Sequence, residues 1–207
     1  MTPGLLLVGA SGLAREVLAA GLPVSGFLDD DPSLAGCMVS GVPVVGTLAA
    51  AADRPERLLI TIGPSTARQR VVATLAQMGV GPGRYATFIA GSAVVGSSSA
   101  VGVGSILLDG VVVTADAEVG RHVVVMPHCT ITHDDRLANF TTLAGGVSLG
   151  GGVHIREGAY LGMNASVHPG RSVGQGSTIG MGAVVLDDVP KGQTWAGVPA
   201  RRMKGEG

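Results

Sequence analysis

Residues Val125–Leu149 read VMPHCTITHDDRLANFTTLAGGVSL, and within them an aliphatic residue returns at every sixth position: Val125, Ile131, Leu137, Leu143 and Leu149. The period continues in both directions. It runs back through Val119, Val113, Leu107, Val101 and Val95 to Ile89, and forward through Ile155, Leu161, Val167, Val173 and Ile179 to Val185. All seventeen positions hold Ile, Val or Leu, without gap or insertion. At about one chance in three per position this would arise by accident about once in 10^8, so it is a structural repeat. The residue after the aliphatic one is often small (Gly96, Gly102, Gly120, Ala138, Ala144, Gly150, Gly162, Gly174, Gly180). Three further on, small or β-branched residues recur (Ser99, Ser105, Val111, Ala117, Val123, Thr141, Val147, Val153, Ala159, Ala165, Ser177, Ala183).

A period of six fits neither an α-helix nor a simple alternating strand. It fits a short strand and a tight corner, repeated. Three such units close a triangular coil, with one aliphatic side chain pointing inward from each face. The glycine after that side chain is expected to supply the positive φ of the corner. The spacing resembles the hexapeptide pattern of the left-handed parallel β-helix. The left hand rests on that resemblance alone, because it runs against the usual crossover rule. At about 4.8 Å per stacked strand, five to six coils make a prism roughly 25 Å tall.

Composition sets the limits. The chain has 207 residues, enough for one large or two small domains. Its 34 glycines are far above ordinary usage and concentrate in the repeat, where they signal solenoid corners and not disorder. A formal net charge of −1 argues against a nucleic-acid or membrane-surface role. Cys37 and Cys129 lack metal-site spacing, and no disulfide is expected between them. The opening apolar run Leu5–Val8 is too short for a signal peptide or a membrane span, which leaves the cytoplasm as the expected location.

Ahead of the repeat, strands alternate with helical segments. Leu5–Val8 reads as a buried strand, followed by the turn Gly9-Ala10-Ser11-Gly12 and a helical stretch from Leu13 to Ala20. Val24–Leu28 reads as a second strand ending in Asp29-Asp30-Asp31-Pro32, and Arg57–Ile62 as a third closed by Gly63-Pro64-Ser65, before a helix over Thr66–Met78. This order implies a small parallel sheet, an α/β Rossmann-like domain over 1–83 with its Gly-rich linker. The β-helix follows over 84–190, and a C-terminal tail over 191–207. The glycine turn suits a phosphate at a helix N-terminus, but it equally suits a plain strand-to-helix turn, since the full dinucleotide fingerprint is missing. Asp29 and Asp30 stand where such sheets bind a ribose or base; a solvated loop is the alternative.

All five histidines lie in the repeat: His122, His128, His133, His154 and His168. Most are expected to be exposed corner residues. His133 differs in its neighbours. It sits in Thr132-His133-Asp134, and one coil away on either side stand Ala115 and Gly151, both small, so its imidazole faces open space. Asp134 stacks on Asp116 in the same way. A histidine beside a carboxylate is suited to general-base work. After the repeat, Arg201, Arg202 and Lys204 either meet phosphates or form a polar tail; the run is too short for a nucleic-acid patch.

Taken together, Gly9–Gly12, Phe27-Leu28-Asp29-Asp30, the hexads, His133-Asp134 and the ending Gly197-Val198-Pro199-Ala200-Arg201 resemble the sugar O- and N-acetyltransferases of the hexapeptide-repeat superfamily. Within it, the chain is most similar to the sialic acid O-acetyltransferase-like group, which includes bacterial N-acetyltransferases of nucleotide-linked 4-amino sugars. The resemblance implies a homotrimer with active sites between neighbouring β-helices. It implies acetyl-CoA as co-substrate and no metal. His133 matches the catalytic base and Asp134 the acid that orients it. Gly151, Met163 and Met181 match the pantetheine groove, and Val198, Pro199 and Ala200 the adenine end. The nucleotide-linked sugar falls to Gly9, Ser11, Gly12, Asp29, Asp30 and Gly63.

The chain departs from that pattern in two places. Thr142 stands where relatives often carry a second histidine, and Leu13 where many carry one after the glycine turn. Both bear on the acceptor more than on acetyl transfer, and O-acetylation of sialic acid or a related sugar is the alternative. A γ-carbonic-anhydrase-like metalloenzyme is a weaker rival: His128 and His133 resemble its ligand pair, but its third histidine falls near Ser92, and His122 substitutes poorly. A non-catalytic trimeric scaffold is the last alternative.

Overall fold

The computed structural model describes residues 4–203. The chain forms two compact units, one up to Phe88 and one from Ile89 onward. Lys204 lies outside the described residues.

In the first unit, Leu5–Val8 (β1) is apolar at every position and buried on both faces, as a central parallel strand must be. It leads through the glycine turn into Gly12–Ala19 (α1). Ser11 caps this helix by accepting from the Ala14 N–H at 3.4 Å, and Leu13, Ala14 and Val17 turn its apolar face inward. Gly26–Leu28 (β2), Met38–Val39 (β3), Val42–Gly46 (β4), Arg57–Ile60 (β5) and Ser65–Gln77 (α2) complete the unit. The sheet order is β3-β4-β2-β1-β5. The pairs β1–β2, β1–β5 and β2–β4 are parallel, whereas β3 and β4 form an antiparallel hairpin. The sequence reading found β1, β2 and β5 but missed this hairpin. Its strands carry Met38, largely exposed, and Pro43, and so lack a strand's buried alternation.

The second unit is a parallel β-helix. Two-residue strands recur every six residues from Phe88–Ile89 to Val184–Val185 and stack into three sheets. Each pairs in parallel with the strand eighteen residues on, as in Val112↔Thr130, Glu118↔Arg136 and Val124↔Thr142. From Leu107 onward the inward column, including Val113, Val125, Ile131, Leu143, Leu161 and Ile179, is closed to solvent and forms one continuous core, while Ile89 at its start is exposed. The segment 191–203 belongs to this unit and not to a free tail. Thr194–Ala196 extends one sheet from Thr178–Ile179, and Arg201–Arg202 folds back antiparallel on it.

One expectation is corrected. Positive φ does not fall on the glycine after the inward residue; it falls two residues later, on Asp116, His122, His128, Asp134, Phe140 and Asn164 as well as on Gly146 and Gly152. The glycines directly after the inward residue serve close approach instead. A Cβ on Gly96 would overlap the Thr114 carbonyl, and one on Gly162 would overlap the Met181 backbone. No helix among the described residues is long and apolar enough to cross a membrane.

Candidate active site

The strand Thr130–Ile131 runs into a corner at Thr132–Asp135. The corner is held by the rungs of the coil: the Asp134 N–H donates to the Ala115 carbonyl at 3.1 Å, and the Gly152 N–H donates to the His133 carbonyl at 2.9 Å. This is the stacking read from the repeat, with Ala115 and Gly151 flanking His133. The imidazole lies directly against Gly151; a Cβ there would overlap its Cε1 and Nε2 atoms. Glycine at 151 is therefore what gives the ring its place.

His133 Nδ1 and Asp134 Oδ2 are 2.8 Å apart, and both side chains are about two-thirds exposed (68% and 67%). The Asp134 hydrogen bond is the largest influence on the imidazole and raises its pKa above the ordinary 6.5. With Nδ1–H donated to the carboxylate, Nε2 presents its lone pair away from Asp134, the arrangement a general base requires. The Gly151 N–H makes no hydrogen bond among the described residues, which leaves a backbone donor beside the ring.

A third residue at this corner escaped the sequence reading. Asp135 is fully buried, although it stands in a column that, Arg171 apart, is otherwise filled by small or β-branched residues. Its carboxylate accepts from the Thr132 N–H at 2.7 Å and the Val153 N–H at 2.8 Å, while the Thr132 hydroxyl donates to the Leu149 carbonyl at 3.0 Å. Burial pushes its pKa up to about 6 against those two hydrogen bonds. The signal was present in the sequence: an acid breaks the column.

The other histidines divide. His168 is exposed, and His154 lies on a sheet face. His122 is buried, contrary to the expectation of an exposed corner, and stacks on Phe140 with centroids 5.3 Å apart. Among the described residues, no three of His, Cys, Asp and Glu gather where they could hold a metal ion.

Met163 and Met181 occupy one corner column a coil apart, linked by the Gly182 N–H to the Met163 carbonyl at 2.8 Å, and both are exposed. Val198 and Pro199 are exposed as well. Ala200 is not: it is buried in the prism core, and its N–H donates to the Val184 carbonyl at 2.7 Å. Its side chain is thus closed to a ligand, because it plugs the end of the β-helix.

In the first unit, Gly9, Ser11, Asp29 and Asp30 converge on a cleft of about 400 Å³, together with Asp31 and Ile62. Gly9, at φ +95°, turns the chain into α1. Asp29 accepts from the Ala10 N–H at 2.7 Å and the Asp31 N–H at 2.9 Å, and Asp30 accepts from the Leu48 N–H at 2.7 Å. The Ser11 hydroxyl donates to the Thr61 carbonyl at 2.6 Å. These side chains thus build the cleft's walls as well as facing it. Gly12 opens α1, and Gly63 lies beyond Ile62; neither lines the cleft. The Gly63 and Ile62 carbonyls each accept from Arg68 Nη1 at 2.7 Å, and burial lowers that guanidinium's pKa to about 10, which leaves it charged at neutral pH.

A parallel β-helix of hexads with an exposed histidine–carboxylate pair at one corner places the chain in the class of hexapeptide-repeat transferases. No protein-family model and no curated protein matches it; the likeness is to solved structures. A histidine-to-asparagine mutant of perosamine N-acetyltransferase from Caulobacter crescentus, in complex with CoA and GDP-perosamine, is 31% identical over 99% of both chains, with a TM-score of 0.90. The acetyltransferase domain of PglB from Neisseria gonorrhoeae FA1090, in complex with acetyl coenzyme A, is 30% identical over 98% of this chain and 100% of its own (TM-score 0.88). WeeI from Acinetobacter baumannii AYE is 28% identical over 98% and 100% (TM-score 0.87). The chain belongs to the hexapeptide-repeat nucleotide-sugar acetyltransferases.

Proposed function

We propose that this protein transfers the acetyl group of acetyl-CoA to the amino group of a nucleotide-linked 4-amino sugar, with His133 as the general base. The observation that carries the reading is the His133–Asp134 pair seated on Gly151. It stands in a chain that matches perosamine N-acetyltransferase along 99% of its length. That relative was crystallised with CoA and GDP-perosamine both bound, and with one histidine replaced by asparagine or alanine.

The chemistry follows from the groups present. The acceptor amine attacks the thioester carbonyl, forming the new C–N bond. His133 Nε2 takes the proton the amine sheds, and Asp134 stabilises the resulting imidazolium through Nδ1. The Gly151 N–H is placed to donate to the carbonyl oxygen as charge develops on it. Collapse breaks the C–S bond, and the proton on His133 is available to the departing sulfur. Positioning of the two substrates supplies much of the rate.

Met163, Met181, Val198 and Pro199 offer exposed apolar surface suited to the alkyl stretch and adenine of acetyl-CoA. The cleft at Gly9, Ser11, Asp29 and Asp30, on a Rossmann-like unit, holds the nucleotide. The prism is left-handed and the assembly a homotrimer with the groove between neighbouring prisms, both as the family resemblance implies. Thiol release from acetyl-CoA across a panel of GDP-, UDP- and CMP-linked sugars tests the reading: 4-amino sugars are turned over, and sugars with only hydroxyls are not. Turnover confined to hydroxyl acceptors would overturn it.

A further inference from the structure

The corner beneath His133 is built with more than the fold requires. In the column that Asp135 occupies, a serine recurs as a polar device at Ser99, Ser105 and Ser177. Ser99 accepts from the Ala117 N–H and Ser105 from the Val123 N–H, each at 3.0 Å, and their hydroxyls donate to the Thr114 and Gly120 carbonyls at 2.8 Å. Ser177 makes the same pair of bonds near the end of the prism. One oxygen thus satisfies the rung N–H of the next coil at no cost in charge. Asp135 makes that same rung bond, to Val153 N–H, with Oδ1. Its other oxygen does something no serine in the column does: it reaches back to the N–H of Thr132, the residue immediately before His133. The price is a fully buried carboxylate, which is expensive unless hydrogen-bonded and matched by positive charge. Its column neighbours, Ala117 and Val153, carry no charge; the titratable groups at its own corner are His133 and Asp134.

We infer that Asp135 is a positioning residue for His133. It fixes the Thr132–His133 turn through the Thr132 N–H and sets a second negative charge near the imidazole, so that the proton His133 accepts is held by two carboxylates. Direct contact with substrate is not needed for this, because the carboxylate is closed to solvent. Electrostatic coupling between Asp135 and His133 acts in both directions, raising the imidazole's pKa and opposing the rise of the carboxyl's. The inference rests on His133 being the base.

The test is Asp135→Ser, which keeps the rung in the form the column already uses and removes both the charge and the bond to Thr132. The readouts are kcat, KM for each substrate, the acid limb of the kcat/KM profile, and a double-mutant cycle with His133→Asn. We expect kcat to fall about tenfold, both KM values to stay within about twofold, and the acid limb to move to lower pH. In the His133→Asn background the same substitution should change kcat little, since it acts through the imidazole. An unchanged kcat and acid limb with a lowered Tm would make Asp135 a structural rung only. An equal loss in both backgrounds would show that it acts apart from His133. Asp135→Asn serves as the second variant; if neither it nor Asp135→Ser folds, the carboxylate belongs to the coil and the positioning role is rejected. Failure of the underlying reading looks different: His133→Asn alone would then leave kcat intact.

Discussion

Gly151→Ala separates the proposed active corner from the scaffold that carries it. Gly151 does not sit at positive φ, so alanine meets no backbone strain there. The three nearest atoms a Cβ would meet all belong to the His133 ring: it would overlap Cε1 and Nε2, with Cδ2 at 3.1 Å. Ordinary contact begins at 3.4 Å, so the ring must shift by about 1 Å, or rotate off the glycine and loosen its bond to Asp134. His133 is an exposed side chain and moves easily, so stability should change by no more than about 0.5 kcal/mol. Catalysis has no such tolerance: a displacement of about 1 Å costs on the order of 10²-fold. Steady-state kinetics of thiol release, read beside a thermal melt, should show kcat down by that factor with Tm within about 2 °C of the parent. A Gly151→Ala enzyme that keeps kcat within about threefold would refute the placement of the reaction at His133. A collapse of Tm would refute the claim that the glycine is there for the ring and not for the coil.

Other expectations follow from the same geometry. His133→Asn should lower kcat by about 10²–10⁴-fold with little change in CoA affinity, and higher pH should partly restore it, because an amine already neutral needs no base. Asp134→Asn should give a milder loss and shift the acid limb of the kcat/KM profile down, since Asp134 is what raises the His133 pKa; an unmoved limb would contradict that. Asp135 has a folded pKa near 6 against an ordinary 3.8, so its stabilising share is full below pH 3.8 and is lost as pH rises through 6. Denaturant melts should therefore show wild type losing roughly 3 kcal/mol relative to Asp135→Ser between pH 4 and 7; a difference that is flat with pH, or grows the other way, would reject the raised pKa. Asp30→Ala should raise KM for the nucleotide sugar about tenfold and leave that for acetyl-CoA nearly unchanged; equal effects on both would remove Asp30 from the sugar site.

The β-helix was legible because its stacking demands one aliphatic side chain per face, and that demand leaves a period which tolerates almost no exception. The His133 corner was legible for the same reason: the eighteen-residue stack turns sequence neighbours into spatial ones, and Ala115 and Gly151 could be placed before any coordinates. What the period does not encode was misread. It shows that glycine follows the inward residue but not why, and close approach of the next coil proved to be the cause where positive φ was expected. The Met38–Gly46 hairpin was invisible because short, partly exposed strands carry no burial pattern. The period describes the residues that fit its columns and is silent on the charged ones that do not, Asp135 and Arg171, so the role of Asp135 shows only in its hydrogen bonds. The burial of Ala200 was hidden because a terminal motif gives no hint that its small residue packs on the last coil.

The central claim is acetyl transfer to an amine with His133 taking the proton. The most direct measurement is mass analysis of the product from isotopically labelled acetyl-CoA and the nucleotide-linked 4-amino sugar that the panel shows to be turned over fastest, with wild type and His133→Asn run side by side. The account predicts one labelled acetyl group on the sugar amine per thiol released by wild type, and turnover reduced at least about 10²-fold in the variant. Thiol release without label on the amine, or equal labelling by both proteins, would contradict it.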